Sequence, residues 1–141
     1  MGLTEEEFAA KLKRLEVRLN AQAARWGLIS EEVFREGLRG LLEEELGLKV
    51  ERWETFDEEG LVYGYPRRVE IDVAIHDGKA VLVEVKAHVN ASDVYAFRRK
   101  AELYEKKAGE RPSRLLMVTP YAEDEGLQAA KYLNIEVYTK I

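Results

Sequence analysis

Apolar and polar residues alternate over two neighbouring stretches of this chain. Val69, Ile71, Val73 and Ile75 interleave with Glu70, Asp72, Ala74 and His76, and Val81, Val83 and Val85 interleave with Leu82, Glu84 and Lys86. A period of two marks a strand with one buried face, so both runs are expected to bury their odd residues. Antiparallel partners must then set odd against odd, because a one-residue slip would turn every valine to the other face. A two-residue Asp77-Gly78 turn breaks that parity. A three-residue loop, His76-Asp77-Gly78, with Gly78 as a left-handed bulge, restores it and leaves Asp72, Glu84 and Lys86 on one face.

Helical spacing governs most of the rest. Thr4, with Glu7 three residues on, opens a segment in which Phe8, Leu12, Leu15, Leu19, Gln22 and Trp26 recur at four and three, ending near Gly27. The stripe is of coiled-coil type over about three heptads, and residues 1–28 are assigned as a separate amphipathic helix that favours a homodimer. Ser30 caps a second helix to about Leu46, with Val33, Leu38, Leu41, Leu42 and Leu46 on its apolar side and Gly47 as its stop. Lys49 to Phe56 reads as a first strand, Asp57-Glu58-Glu59-Gly60 as a turn, and Leu61 to Pro66 as an irregular lead into the next strand. Tyr63 and Tyr65 in that lead are expected to cover the sheet edge, with base stacking the lesser alternative.

Ser92 or Asp93 opens a further helix with Val94, Phe97, Ala101, Tyr104 and Ala108 as its buried stripe and Arg98, Arg99 and Lys106 outward. Arg114 to Thr119 is a strand, Pro120 a break, Glu123 to Tyr132 a helix and Ile135 to Thr139 a last strand. A strand-helix-strand unit crosses over right-handed and makes a parallel pair, so the sheet is mixed. The fold class is α/β, with a sheet of about five strands flanked by helices in the order α-βββ-α-β-α-β over residues 29–141.

Composition narrows the function. At 141 residues, 46% hydrophobic and 35% charged, the chain has the size and balance of one globular unit. It has no cysteine, which excludes disulfides, thiolate metal sites and a thiol nucleophile. Nothing in it reads as a signal peptide or a membrane-length apolar run, so a cytoplasmic location without membrane attachment is expected. The net charge of −5 argues against nucleic acid as a partner, but its distribution does not. Glu31 to Gly60 holds eleven acidic and four basic residues, whereas Ala96 to Leu116 holds seven basic and three acidic, as an acidic centre beside a basic rim requires.

Two carboxylates and a lysine on adjacent strands are the minimum equipment for setting a hard divalent ion against a phosphodiester. With an acidic helix before them and helix, strand, helix, strand after them, Asp72 and the Glu84-Val85-Lys86 triplet resemble the PD-(D/E)XK nuclease superfamily, over roughly residues 30 to 139. The core is similar to those of restriction endonucleases, Holliday-junction resolvases and RecB-like nucleases. Ile71, not proline, precedes Asp72, a departure common in that superfamily.

The resemblance implies Asp72, Glu84 and the Val85 carbonyl as ligands of Mg²⁺ or Mn²⁺, and Lys86 as the residue that orients the attacking water or stabilises the transition state. It also implies a helix carboxylate. Glu32, Glu36, Glu43, Glu44 and Glu45 are available; counting back about three turns from Gly47 selects Glu36, with Glu32 one turn earlier as second choice. Lys100 and Tyr104 resemble the Gln-x-x-x-Tyr pair of RecB-like nucleases and, with Arg98 and Arg99, are assigned to nucleic-acid binding. His88 is a lesser candidate at the cleft, and His76 is a turn residue.

The resulting expectation is a homodimeric, metal-dependent deoxyribonuclease, with Asp72→Ala and Lys86→Ala abolishing cleavage while leaving the fold intact. The alternatives are a catalytically inactive nuclease-like module for DNA binding or protein assembly, and a nuclease that processes RNA.

Overall fold

A computed structural model describes residues 31–46, 49–76 and 80–139, together with Thr4, Glu6, Glu7 and Ala10. The expected N-terminal helix, its heptad stripe and the Ser30 cap lie outside these residues, except for the first turn. There Thr4 and Glu7 cap each other: the Glu7 N–H donates to Thr4 Oγ1 at 3.0 Å and the Thr4 N–H to Glu7 Oε1 at 3.2 Å.

The described elements follow the expected order. Helix α1 spans Glu31–Leu46, β1 Lys49–Asp57, β2 Arg67–His76, β3 Ala80–Val85, α2 Ala91–Ala108, β4 Arg114–Thr119, α3 Asp124–Tyr132 and β5 Glu136–Thr139. The strands form one sheet in the order β1-β2-β3-β4-β5. β1/β2 and β2/β3 pair antiparallel, and β3/β4 and β4/β5 pair parallel. The sheet is mixed because hairpin links join the first three strands while helices carry the chain across to the last two.

Between β2 and β3 odd does oppose odd: Val73 faces Val83 and Ile75 faces Val81. The register is displaced from the expected one, however, with His76 paired to Ala80, so the connection comprises residues 77–79 rather than 76–78. The expectation that only odd residues are buried fails on β3, where every residue from Ala80 to Val85 is buried. As the middle strand of five it is covered on both faces, as near-continuous apolar strands are.

Helix α2 supplies one of those covers. Its Phe97, Ala101 and Tyr104 pack in one cluster with Ile71, Ala74, Leu82 and Met117, and Trp53 meets Tyr104 edge-on at 5.1 Å. The helix starts one residue earlier than expected. Asn90, not Ser92 or Asp93, is its N-cap, and a capping box links Asn90 and Asp93. Ala108 is exposed, and Lys100 and Leu103 are buried instead. Val62, Val69 and Leu103 form a smaller cluster that ties the segment after β1 to α2.

Candidate active site

A bulge prepares the site. Glu51 pairs with Ala74 and Trp53 with Ile71, so two steps along β1 meet three along β2, and Asp72 and Val73 together lie opposite Arg52. Such an insertion twists a strand and re-aims its side chains. The β2/β3 ladder reaches its last pair at Val73 and Val83, one residue short of where Asp72 would oppose Glu84. In place of a backbone bond, Asp72 Oδ2 accepts the Val85 N–H at 2.7 Å.

The carboxylate of Asp72 is 10% exposed, and its other oxygen lies 2.9 Å from Arg35 Nε. The backbone carbonyl of Asp72 accepts from Arg39 Nη1 at 3.1 Å. Residues 35 and 39 are one turn apart on α1 and so share a side of it. Arginines, not glutamates, therefore face Asp72. Glu32 is bound to Arg35 at 2.7 Å, and Glu36, 62% exposed, is bound to Arg39. Among the described residues no three acidic or histidine side chains gather as a metal set. Neither Glu36, expected to complete the carboxylate cluster, nor Glu32, its second choice, is brought to Asp72 and Glu84; each is held by an arginine of its own helix. A step of one residue turns a helical side chain by about 100°, and here it exchanges Glu36 for Arg35.

Glu84 lies two residues past Leu82 on β3 and hence on the face that α2 covers. It is 6% exposed. Lys100 Nζ reaches both of its oxygens, at 3.1 and 3.0 Å. Burial pushes the Glu84 carboxyl up to about 7; Lys100 opposes the shift, Asp72 adds to it by repulsion, and Lys86 opposes it. Burial works against the Lys100 ammonium, but Glu84, Tyr63 and Asp72 outweigh it and hold the proton more firmly than usual. Lys86, 38% exposed, sits just beyond β3 with its Nζ 3.5 Å from Asp93 Oδ1 in the α2 capping box. Asp72, Lys86 and Lys100 thus all act electrostatically on Glu84.

The residues assigned to nucleic acid divide. Tyr104 is 1% exposed, packs on Trp53 and donates its hydroxyl to Glu110, so it offers no surface to a strand. Lys100 is turned inward onto Glu84 and is likewise withdrawn from that role. Arg99 gives its Nε to the Val62 carbonyl at 2.8 Å, and Arg98 meets Glu102 at 3.9 Å. Lys106 and Lys107 pair with Glu59 and Glu58 of the turn after β1. Two of the seven basic residues are therefore paired with the acidic stretch with which they contrast in sequence, while Arg98, Lys100 and Arg114 pair with Glu102, Glu84 and Glu136. His88 bonds Glu123 at 2.5 Å and stacks edge-on with Tyr121 at 5.0 Å, outside the carboxylate pair's contacts. Tyr63 and Tyr65, expected to cover the sheet edge, stand 40% and 54% exposed.

Sequence reasoning misses Arg35 and Arg39. Their signal is the (i, i+4) arginine row set beside the Glu32/Glu36 row, which shows that one side of α1 is cationic without showing which side faces the sheet.

Two carboxylates from neighbouring strands suit a small hard dication, since Mg²⁺ commonly keeps several waters and takes only one or two protein carboxylates beside substrate phosphate. The present partners also show what such an ion meets: Arg35 on Asp72 and Lys100 on Glu84 already supply positive charge.

Residues 67–136 match a family model described as the PD-(D/E)XK nuclease superfamily. Residues 2–66 match one described as Protein of unknown function (DUF3782). The junction between the two matches falls between β1 and β2, which pair along their length. No curated protein and no solved structure matches the chain.

Proposed function

We propose that this chain, which through residues 67–136 belongs to the PD-(D/E)XK nuclease superfamily, is a divalent-metal-dependent nuclease acting on DNA. The observation that carries the reading is the burial of Asp72 and Glu84 on adjacent strands just past the last β2/β3 pair, where Asp72 and Lys86 both act on the charge of Glu84. In this reading Asp72, Glu84 and the Val85 carbonyl hold Mg²⁺ or Mn²⁺. When bound, that ion polarises the phosphoryl oxygen and lowers the pKa of water.

The chain's own residues do the rest. The Val85 N–H fixes the rotamer of Asp72, so one strand's backbone orients the other strand's ligand. Glu84 is kept from solvent, which strengthens its attraction for any cation that reaches it. The Lys86 ammonium, on the exposed side of the pair, donates to a phosphoryl oxygen or to the incoming water and offsets charge that develops at phosphorus. Water attacks in line, its oxygen bonding to phosphorus and its proton leaving to solvent. The bond to the leaving deoxyribose oxygen breaks, and that oxygen takes a proton. The same reading includes a homodimer formed through residues 1–28, supported by their heptad spacing.

A second reading, a nuclease-like module that binds DNA without cutting it, is favoured by one observation: Arg35 and Lys100 already compensate both carboxylates. A cleavage panel separates the two. Single-stranded, flapped, branched and duplex DNA are incubated with wild type and Lys86→Ala, each with EDTA, Mg²⁺ or Mn²⁺. Cleavage by wild type alone, dependent on the ion, is the expected result. No cleavage of any substrate, or equal cleavage by Lys86→Ala, overturns the catalytic reading.

A further inference from the structure

Tyr63 and Tyr65 are built to stay exposed, on a loop held by α2, the helix whose Lys100 binds Glu84. Asp57, itself buried, accepts the Leu61 N–H at 3.1 Å and the Val62 N–H at 2.9 Å, one on each carboxylate oxygen. Gly60, at φ +68°, accepts the Gly64 N–H at 2.9 Å, and a Cβ on it would come within 2.7 Å of the Tyr65 nitrogen. Val62 is sunk against Val69 and Leu103, and its carbonyl is held by Arg99. With one residue anchored and the next turned out, the rings project from a fixed loop.

Arg67 completes the arrangement. Its guanidinium lies 4.6 Å from the Tyr63 ring centroid and 6.0 Å from that of Tyr65, and Nη1 donates to the Tyr65 hydroxyl at 3.3 Å. The residue before Tyr63 is bound by Arg99, whose neighbour in the chain, Lys100, holds Glu84. Two exposed aromatic rings with a guanidinium between them, beside a pocket suited to phosphate chemistry, are the combination used to stack unpaired bases while a cation meets the backbone. A duplex keeps its bases inside its own stack and offers these rings nothing to stack on.

We propose that Tyr63, Tyr65 and Arg67 form a stacking platform for unpaired nucleobases next to the Asp72/Glu84 pocket, so that the preferred substrate carries a single-stranded segment there. This rests on the nuclease reading for the purpose of the platform, but its test does not require cleavage. Fluorescence anisotropy in EDTA, with a labelled single-stranded oligodeoxynucleotide, an oligoribonucleotide of the same sequence and a blunt DNA duplex, measures binding while the metal-dependent step is off.

Wild type binds at least one single strand about tenfold or more tightly than the duplex, and the ratio between the two single strands names the sugar. Tyr63→Ala/Tyr65→Ala weakens single-strand binding by about tenfold or more and duplex binding by less than about twofold, and Tyr63→Phe/Tyr65→Phe retains wild-type affinity. Cross-linking of wild type to a bromouracil-substituted single strand marks Tyr63 or Tyr65, a result independent of how any variant folds. Equal affinity for single strand and duplex, an undiminished alanine variant, or cross-links confined to other residues overturns the platform. If the protein cuts duplex DNA while these results fail, the nuclease reading survives alone. If single strands bind through the tyrosines and nothing is cut, the platform survives alone.

Discussion

Lys100 Nζ on α2 bonds both carboxylate oxygens of Glu84 on β3, at 3.1 and 3.0 Å, with both side chains nearly shielded from solvent. Removing one member of such a pair strands a charge in a poorly hydrated site, whereas removing both need cost little. Because burial already holds the Glu84 carboxyl at about 7, it takes up a proton more readily once Lys100 is gone, so Lys100→Met is expected to lower stability in urea denaturation more at pH 9 than at pH 6, and Lys100→Met/Glu84→Leu to recover a large part of the loss at pH 9. Additive losses in the two single variants and the double would show that the pair is not coupled.

Arg35 occupies the Asp72 oxygen that an incoming ion must share. Replacing it with an uncharged side chain of similar length removes a competing cation, so Arg35→Met is expected to bind Mn²⁺ about tenfold more tightly by isothermal titration. Unchanged or weaker binding would mean that the ion does not compete with Arg35 at Asp72.

Asp72 and Lys86 are not equivalent targets, contrary to the expectation that alanine at either leaves the fold intact. Lys86→Ala removes a half-exposed side chain whose ion-pair partner stands 3.5 Å away, and a stability change within about 0.5 kcal/mol is expected. Asp72→Ala leaves the Val85 N–H without its acceptor, removes the carboxylate 2.9 Å from Arg35 Nε, and is expected to cost about 1–3 kcal/mol as well as cleavage. Asp72→Asn, which keeps an acceptor oxygen, should lie between them. Calorimetric melts beside the cleavage panel check this ordering, and an Asp72→Ala melt identical to wild type would refute it.

Arg114 and Glu136 join β4 to β5, with Nε to Oε2 at 2.8 Å, and Tyr138 donates to Oε1 at 2.9 Å. Burial pushes the Glu136 carboxyl up, but the bonds from Arg114 and Tyr138 outweigh it and leave it below the ordinary 4.5. A folded-state value below the unfolded one adds stability above pH 4.5, and that stability is lost as the pH falls through the folded value. Because the side chain is 39% exposed, the contribution is at most about 1 kcal/mol. Glu136→Gln should therefore be less stable than wild type at pH 7 and equal to it near pH 3; a gap that persists or widens in acid would contradict the assignment.

The element order and the placing of Asp72 and Glu84 on neighbouring antiparallel strands are legible in the sequence, because strand parity and a buried face together leave few registers open. What escapes is rotation and offset. The hairpin connection is displaced by one residue, and α1 presents Arg35 where Glu36 is expected. Each is a shift of one residue, which leaves the apolar pattern intact and is decided by packing at a distance. Lys100 and Tyr104 escape for another reason. Spacing places both on one side of α2, but whether that side meets solvent or sheet depends on Trp53 and Glu84, far away in the chain.

The pairing of β1 with β2 runs from Lys49 and His76 to Asp57 and Arg67, across the point where one ancestral sequence pattern gives way to the other. A break there would bare a row of amides and carbonyls on β2, an adhesive rim prone to fibrous self-association. Any recombinant that borrows residues 67–136 must therefore also borrow the ribbon that seals them.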